Sequence, residues 1–179
     1  MLKELPGDIK KQLDNFLTMR FNIHLNMFTK HYVLLLANNR EILFVEPRVY
    51  SKVKHYLRSR YRKKLKYIGF PFAHIINKKI ELDIEGVCLI HSMNYENELI
   101  VNNEGEMLFL YGKDLFKKSI IGYAKHYRLG EYVIVVNRLR ECLGLGEVMM
   151  NYEKYKKAKD NDVIIRNLVD RGIYLRAKP

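Results

Sequence analysis

The chain has 179 residues, the size of one or two domains at about 150 residues each, which excludes a large multidomain enzyme. Hydrophobic residues at 48% and charged residues at 29% fit a folded globular chain rather than a disordered, collagenous or disulfide-rich one. Thirty-two Lys and Arg against twenty Asp and Glu leave +12, a field that attracts polyanions, nucleic acid first and an anionic membrane second.

In chain order, residues 8–17 place Ile9, Leu13, Phe16 and Leu17 on one face, with Asp8 as the expected N-cap, and predict an amphipathic helix. The apolar runs 32–37 and 41–45 flank Asn38-Asn39-Arg40, and Asn tolerates the positive φ of a tight hairpin turn, so a hairpin is expected. Pro47 opens a second helix, expected to run to about residue 62, in which Val49, Val53, Tyr56 and Leu57 keep helical spacing. Strands are expected near 65–72 and 75–84, and 85–95 fits either a short helix or a loop.

From Glu98 the punctuation changes. Residues 98–101, 106–110, 131–136, 147–150, 162–166 and 172–177 read as short strands separated by Gly, Asn and Asp, a rhythm that suits a small barrel. Within it, residues 111–121 are the one expected helix, carrying Lys113, Lys117 and Lys118. The domain boundary falls in the polar stretch 94–98, dividing the chain into residues 1–95 and 96–179. Gly112, Gly144, Gly146 and Gly172 are expected where a side chain would obstruct the backbone.

Cys88 and Cys142 each sit in an apolar run, read as buried small hydrophobes, and suggest a reducing compartment. With no apolar stretch of about 18 residues and with charges where a signal peptide needs its apolar core, the chain is expected to be soluble and intracellular, without a membrane partner.

Catalytic signatures are missing. There is no phosphate-binding P-loop, no His-Glu-x-x-His, no Gly-x-Ser-x-Gly and no Cys-x-x-Cys, and the six histidines are scattered rather than spaced as metal ligands. Gly144-Leu145-Gly146 lacks the third glycine of a dinucleotide fingerprint, so neither cofactor nor metal is expected.

Two basic clusters stand out. Residues 51–66 hold eight Lys or Arg and no acid, with Lys54, Arg58 and Arg62 aligned on a helix opposite Val49, Val53 and Leu57. Like charges at that spacing repel, which an anionic partner relieves. The second cluster, Tyr152 to Lys159, is expected as a loop between two strands. It carries Lys154, Lys156, Lys157 and Lys159 with Tyr152 and Tyr155, a combination suited to phosphates and unpaired bases. The bland reading of either cluster is a solvated face, and Tyr155 could equally be packed on the barrel.

Leu110-Tyr111-Gly112 with Lys118-Ser119, Leu143-Gly144-Leu145-Gly146, and Asp170-Arg171-Gly172-Ile173-Tyr174-Leu175-Arg176 resemble a PUA domain. With Leu65 to Leu82 ahead of them, the motifs resemble the Nip-seven (nuclear import protein seven) family of ribosome biogenesis factors, archaeal type. The segment Phe70-Pro71-Phe72-Ala73-His74 departs from that family's Gly-, Lys- and Thr-rich pattern. The resemblance implies an α+β fold, an N-terminal antiparallel sheet with helices (pre-PUA) followed by a PUA pseudobarrel that binds RNA. It also implies large-subunit maturation, with ribosomal RNA or a pre-ribosomal particle and other assembly proteins as partners, in the cytoplasm, or the nucleolus of a eukaryote. It places the RNA face near Lys117 and Lys118 and near Arg138 and Arg140, beside the lysines at 154, 156, 157 and 159.

The leading expectation is therefore a non-catalytic, monomeric RNA-binding factor. The alternative is an RNA-modification enzyme, a methyltransferase or pseudouridine synthase, or its targeting subunit. The roughly 95 residues before the PUA segment are too few for the repeated βαβ units of a cofactor domain.

Overall fold

A computed structural model describes residues 2–58, 65, 68–93, 97–124 and 126–176. The chain packs as two compact units, Met1–Gly86 and Val87–Pro179. The expected boundary residues 94–96 lie outside the described residues.

In the first unit β1 (Leu2–Glu4), β2 (Val33–Ala37), β3 (Glu41–Val45), β4 (Phe70–Ile76) and β5 (Lys79–Leu82) form a sheet in chain order, antiparallel throughout. Helices α1 (Gly7–Phe21), α2 (Asn26–Thr29) and α3 (Pro47–Arg58) accompany it. The hairpin β2–β3 turns on Asn38 and Asn39, both at positive φ (52° and 58°), as their side chains allow.

The apolar runs in β2 and β3 are continuous because both faces of the sheet are covered. Leu35, Leu43 and Val45 share one cluster with Leu2 and Ile68, against which Tyr50, Val53 and Leu57 of α3 pack. Phe44 stacks on Phe72 with centroids 4.0 Å apart, and Phe28 of α2 meets both rings edge-on at 5.6 and 5.4 Å. All three rings are fully buried, each contributing about 1.5–3 kcal/mol.

Three details differ from expectation and one lies beyond what the structure describes. Helix α1 begins at Gly7 with Pro6 in the cap position, so Asp8 lies inside the first turn. Val49 is exposed, and only Val53 and Leu57 of the expected apolar stripe turn inward. Helix α3 is described to Arg58, and its expected extension to residue 62 lies outside the described residues. The expected strands 65–72 and 75–84 are the arms of the β4–β5 hairpin, whose turn is set by Asn77 and Lys78 at positive φ. The ambiguous stretch 85–95 contains α4 (Ile84–Ser92).

The second unit contains β6 (Glu98–Ile100), α5 (Asn103–Leu110), β7 (Leu115–Phe116), a 3-10 turn (Lys117–Ser119), β8 (Tyr132–Val136), β9 (Cys142–Val148), α6 (Tyr152–Lys157), β10 (Val163–Asp170) and α7 (Ile173–Arg176). The sheet order is β6-β8-β9-β10-β7, with β6 parallel to β8 and every other pairing antiparallel. Leu99, Phe109, Leu115, Val133, Val135 and Ile165 lie in its core.

Three elements of this unit differ from expectation. Residues 106–110 belong to a helix, α5, because Asn102 caps it, its side chain accepting from Gly105 N at 2.9 Å, while Glu104 and Glu106 oppose the helix dipole. Residues 111–121 hold β7 and the 3-10 turn instead of a helix. Residues 173–176 form α7, a helix whose apolar side chains are exposed. Gly144 and Gly172 are sterically required: a Cβ would stand 2.1 Å from Val169 O and 1.8 Å from Leu110 O, respectively. Gly112 and Gly146 are crowded as well. Among the described residues no helix is long and apolar enough to cross a membrane.

Candidate nucleic-acid interface

The basic run 152–157 is a helix, α6, rather than the expected loop. The Asn151 side chain caps it by accepting from Lys154 N at 3.1 Å. Its inner face is aromatic: Tyr155 stacks on buried Tyr123 with centroids 4.2 Å apart, and Tyr152 and Ala158 pack against the same core. Burial, and secondarily Tyr152, push the Tyr155 phenol upward. Tyr155 is therefore a half-buried packing residue, with one ring face taken by Tyr123.

Lys117 closes the other end of α6. Its ammonium donates to Ala158 O at 2.7 Å and lies 5.3 Å from the Tyr155 ring centroid. The structure thus brings Lys117 and the 154–159 lysines together, with Lys117 holding the helix end. Lys118 pairs with Glu104 at 2.8 Å and Lys156 with Glu153 at 2.7 Å, the latter holding the ammonium above its ordinary range. Lys154, Lys157 and Lys159 are exposed and have no ion pair among the described residues. Beside α6 an open cleft of about 620 Å³ is lined by His126, Arg128, Asn151, Tyr152 and Lys156 among others.

Arg138 and Arg140 are not part of this group. They stand in the β8–β9 turn, and the seven residues of β9 put about 20 Å between that turn and α6 at roughly 3.3 Å per residue. Arg140 adopts positive φ (63°) and pairs with Glu98, whose other oxygen contacts His91 at 2.7 Å. Arg138 is exposed with no ion pair among the described residues.

A second face lies at that end, and the sequence did not single it out as one surface. Buried Asp170 accepts from Gly172 N at 2.9 Å and pairs with Arg176 at 2.9 Å, and the same guanidinium donates to Leu110 O. This fixes α7 against the C-terminal end of α5. Tyr111, Tyr174, Leu175 and Met107 are exposed there, with Lys113, Arg138 and Arg171 carrying the charge. The only sequence signal was the spacing Asp170-x-Gly172-x-x-x-Arg176, which ties the elements together without revealing what they expose.

In the first unit Lys54 is exposed, its ammonium 5.9 Å from the Tyr50 ring centroid. The Arg58 side chain and Arg62 lie outside the described residues, so the expected stripe reduces there to one placed cation. Among the described residues no group of three or more His, Cys, Asp or Glu could hold a metal ion.

Comparison with known proteins places this geometry in a class. Residues 97–178 match the family model described as the UPF0113 PUA domain. A UPF0113 protein of Archaeoglobus fulgidus is 34% identical over 110 residues, and the match spans 62% of this chain and 62% of that protein. A conserved PUA domain protein from Thermoplasma acidophilum shares the fold over all of both chains (TM-score 0.63, 15% identity). A PUA domain from Aeropyrum pernix, solved as a tartrate complex, matches 98% of this chain and 88% of its own (TM-score 0.67, 12% identity). The chain therefore has an N-terminal antiparallel sheet with helices followed by a PUA domain, an RNA-binding fold.

Proposed function

We propose that the protein is a non-catalytic RNA-binding factor in ribosomal RNA processing and large-subunit assembly, of the Nip-seven kind. One observation carries the RNA reading: a PUA-fold unit presents Lys154 and Lys157 on α6, and Lys159 just beyond it, without ion-pair partners among the described residues, on a segment whose other face packs half-buried on the core. Lysines so placed are suited to neutralise phosphates and release their counterions. The ribosomal role rests on the resemblance of the Leu110-Tyr111-Gly112, Leu143 to Gly146 and Asp170 to Arg176 motifs, and makes pre-ribosomal RNA and other assembly proteins the partners.

Crosslinking the protein to RNA in cells and sequencing the attached fragments tests it. Large-subunit ribosomal RNA should be enriched, whereas dominance by any other RNA class refutes the role. Incubating RNA and protein with S-adenosylmethionine should give no methyl transfer. A second reading puts the RNA on the α5–α7 face, because Tyr111 and Tyr174 are exposed there and stacking contributes about 1–3 kcal/mol per base. Charge removal on each face distinguishes the two.

A further inference from the structure

The only two cysteines of the chain are in contact. Cys88 comes from α4 and Cys142 from the first position of β9, 54 residues further on, and the Cys88 thiol donates to Cys142 Sγ at 2.8 Å. Both belong to the second unit. Cys142 is buried at 6% exposure and Cys88 is half-buried, so solvent reaches one sulfur of the pair more readily than the other. Two small apolar residues could meet in a core without consequence, but two thiols in mutual contact need no large backbone movement to become a bond.

We propose that Cys88 and Cys142 are a covalent modification site, a vicinal thiol pair that low-molecular-weight disulfides of the glutathione class oxidise to an intramolecular crosslink. The Cys88 thiolate attacks one sulfur of the small disulfide, forming a mixed disulfide and expelling one small thiolate, which takes up the Cys88 proton. Cys142 then gives up its proton and attacks Cys88 Sγ, expelling the second small thiolate, which takes up that proton. Two protein thiols are oxidised and one small disulfide is reduced to two thiols. The order follows access. Contact with Cys88 and burial both hold the Cys142 thiol above its ordinary range, which disfavours it as the first nucleophile and leaves that step to the more accessible Cys88.

The crosslink would close a loop that contains β6, α5, β7 and β8, and would anchor α4 to the strand that follows the Arg138–Arg140 turn. Closing a loop of this length constrains the unfolded chain, and a Tm rise of about 10 °C is expected. This reading does not depend on RNA binding.

The test uses the full chain, fully reduced and then equilibrated with oxidised glutathione. Thiol titration in denaturant should fall from two thiols to none, and the intact mass should drop by two hydrogens. On a non-reducing gel the product should stay monomeric, and its Tm should exceed that of the reduced protein. Cys88→Ser and Cys142→Ser should each abolish the Tm difference between oxidised and reduced samples. Two titratable thiols after oxidation, a persistent glutathione adduct, or crosslinked dimers would each overturn the proposal.

Discussion

Removing the charge of Lys154, Lys157 and Lys159 together, each by substitution to Gln, tests where RNA sits. Each phosphate neutralised on a single strand contributes about −0.7 to the slope of log K against log salt. Four lysines on this segment would give about −3, but Glu153 already neutralises Lys156, so the structure lowers the figure to about −2. Between 50 and 200 mM salt that slope is worth about a 20-fold loss of affinity, which the triple variant should no longer show. Lys156→Gln should change the slope little, and Glu153→Gln, which releases Lys156 from its pair, should steepen it by about 0.7. The assay is fluorescence anisotropy with a labelled single-stranded RNA over a salt series, with circular dichroism to verify that α6 persists. An unchanged slope in the triple variant, with flattening instead on substituting Lys113, Arg138 and Arg171 by Gln, would refute the α6 assignment and move the RNA to the α5–α7 face.

Gly172→Ala should cost about 3 kcal/mol in urea unfolding, since its Cβ would meet Leu110 O at 1.8 Å, whereas Gly7→Ala, with nothing within 4 Å, should be near neutral. Asp170→Ala should cost about 2–3 kcal/mol, a figure reduced from that of a fully buried pair because Arg176 is about a third exposed; a loss below 0.5 kcal/mol would show the pair does not hold α7. Burial raises the Asp83 carboxyl above its ordinary range by more than His74, 2.9 Å away, lowers it, and Glu41 and Glu85 add to the rise. A raised carboxyl contributes stability that is present below about pH 4 and lost as pH rises through its folded value. Asp83→Asn should therefore gain on the wild type from pH 4 to pH 7 in thermal melts, and a variant that loses ground over that range would contradict the sign.

The β2–β3 hairpin was legible because Asn38-Asn39 states its turn in two residues and the flanking runs are long. The PUA motifs were legible for the same reason: Gly144 and Gly172 sit where a carbonyl leaves no room, so the residue type itself reports the geometry. Short helices were not. Residues 106–110 and 173–176 are apolar runs of strand length, and what makes them helical lies outside the run: the Asn102 side chain in one case, the Asp170–Arg176 pair in the other. The basic cluster was visible as charge, but its division was not. Lys117 spends its hydrogen bonds on α6 carbonyls and Arg140 its charge on Glu98, partners supplied by distant segments. Between the two readings open for Tyr155, base stacking or packing on the barrel, the charge pattern could not choose, since its ring partner, Tyr123, is contributed by another part of the chain.

In the second unit the strands synthesised first end up at the two edges of the sheet. β6 and β7 precede β8, β9 and β10 in the chain, yet β6 pairs only with β8, and β7 only with β10, where Leu115 faces Ile165. The central antiparallel strands β8, β9 and β10 can form from neighbouring segments, while both edge strands wait for it. A nascent chain consequently carries β6 without its sheet partner until β8 has been made, and β7 without its own until β10 has been made. This half closes late and as a whole, and its folding rate is governed by long-range closure rather than by local helix formation.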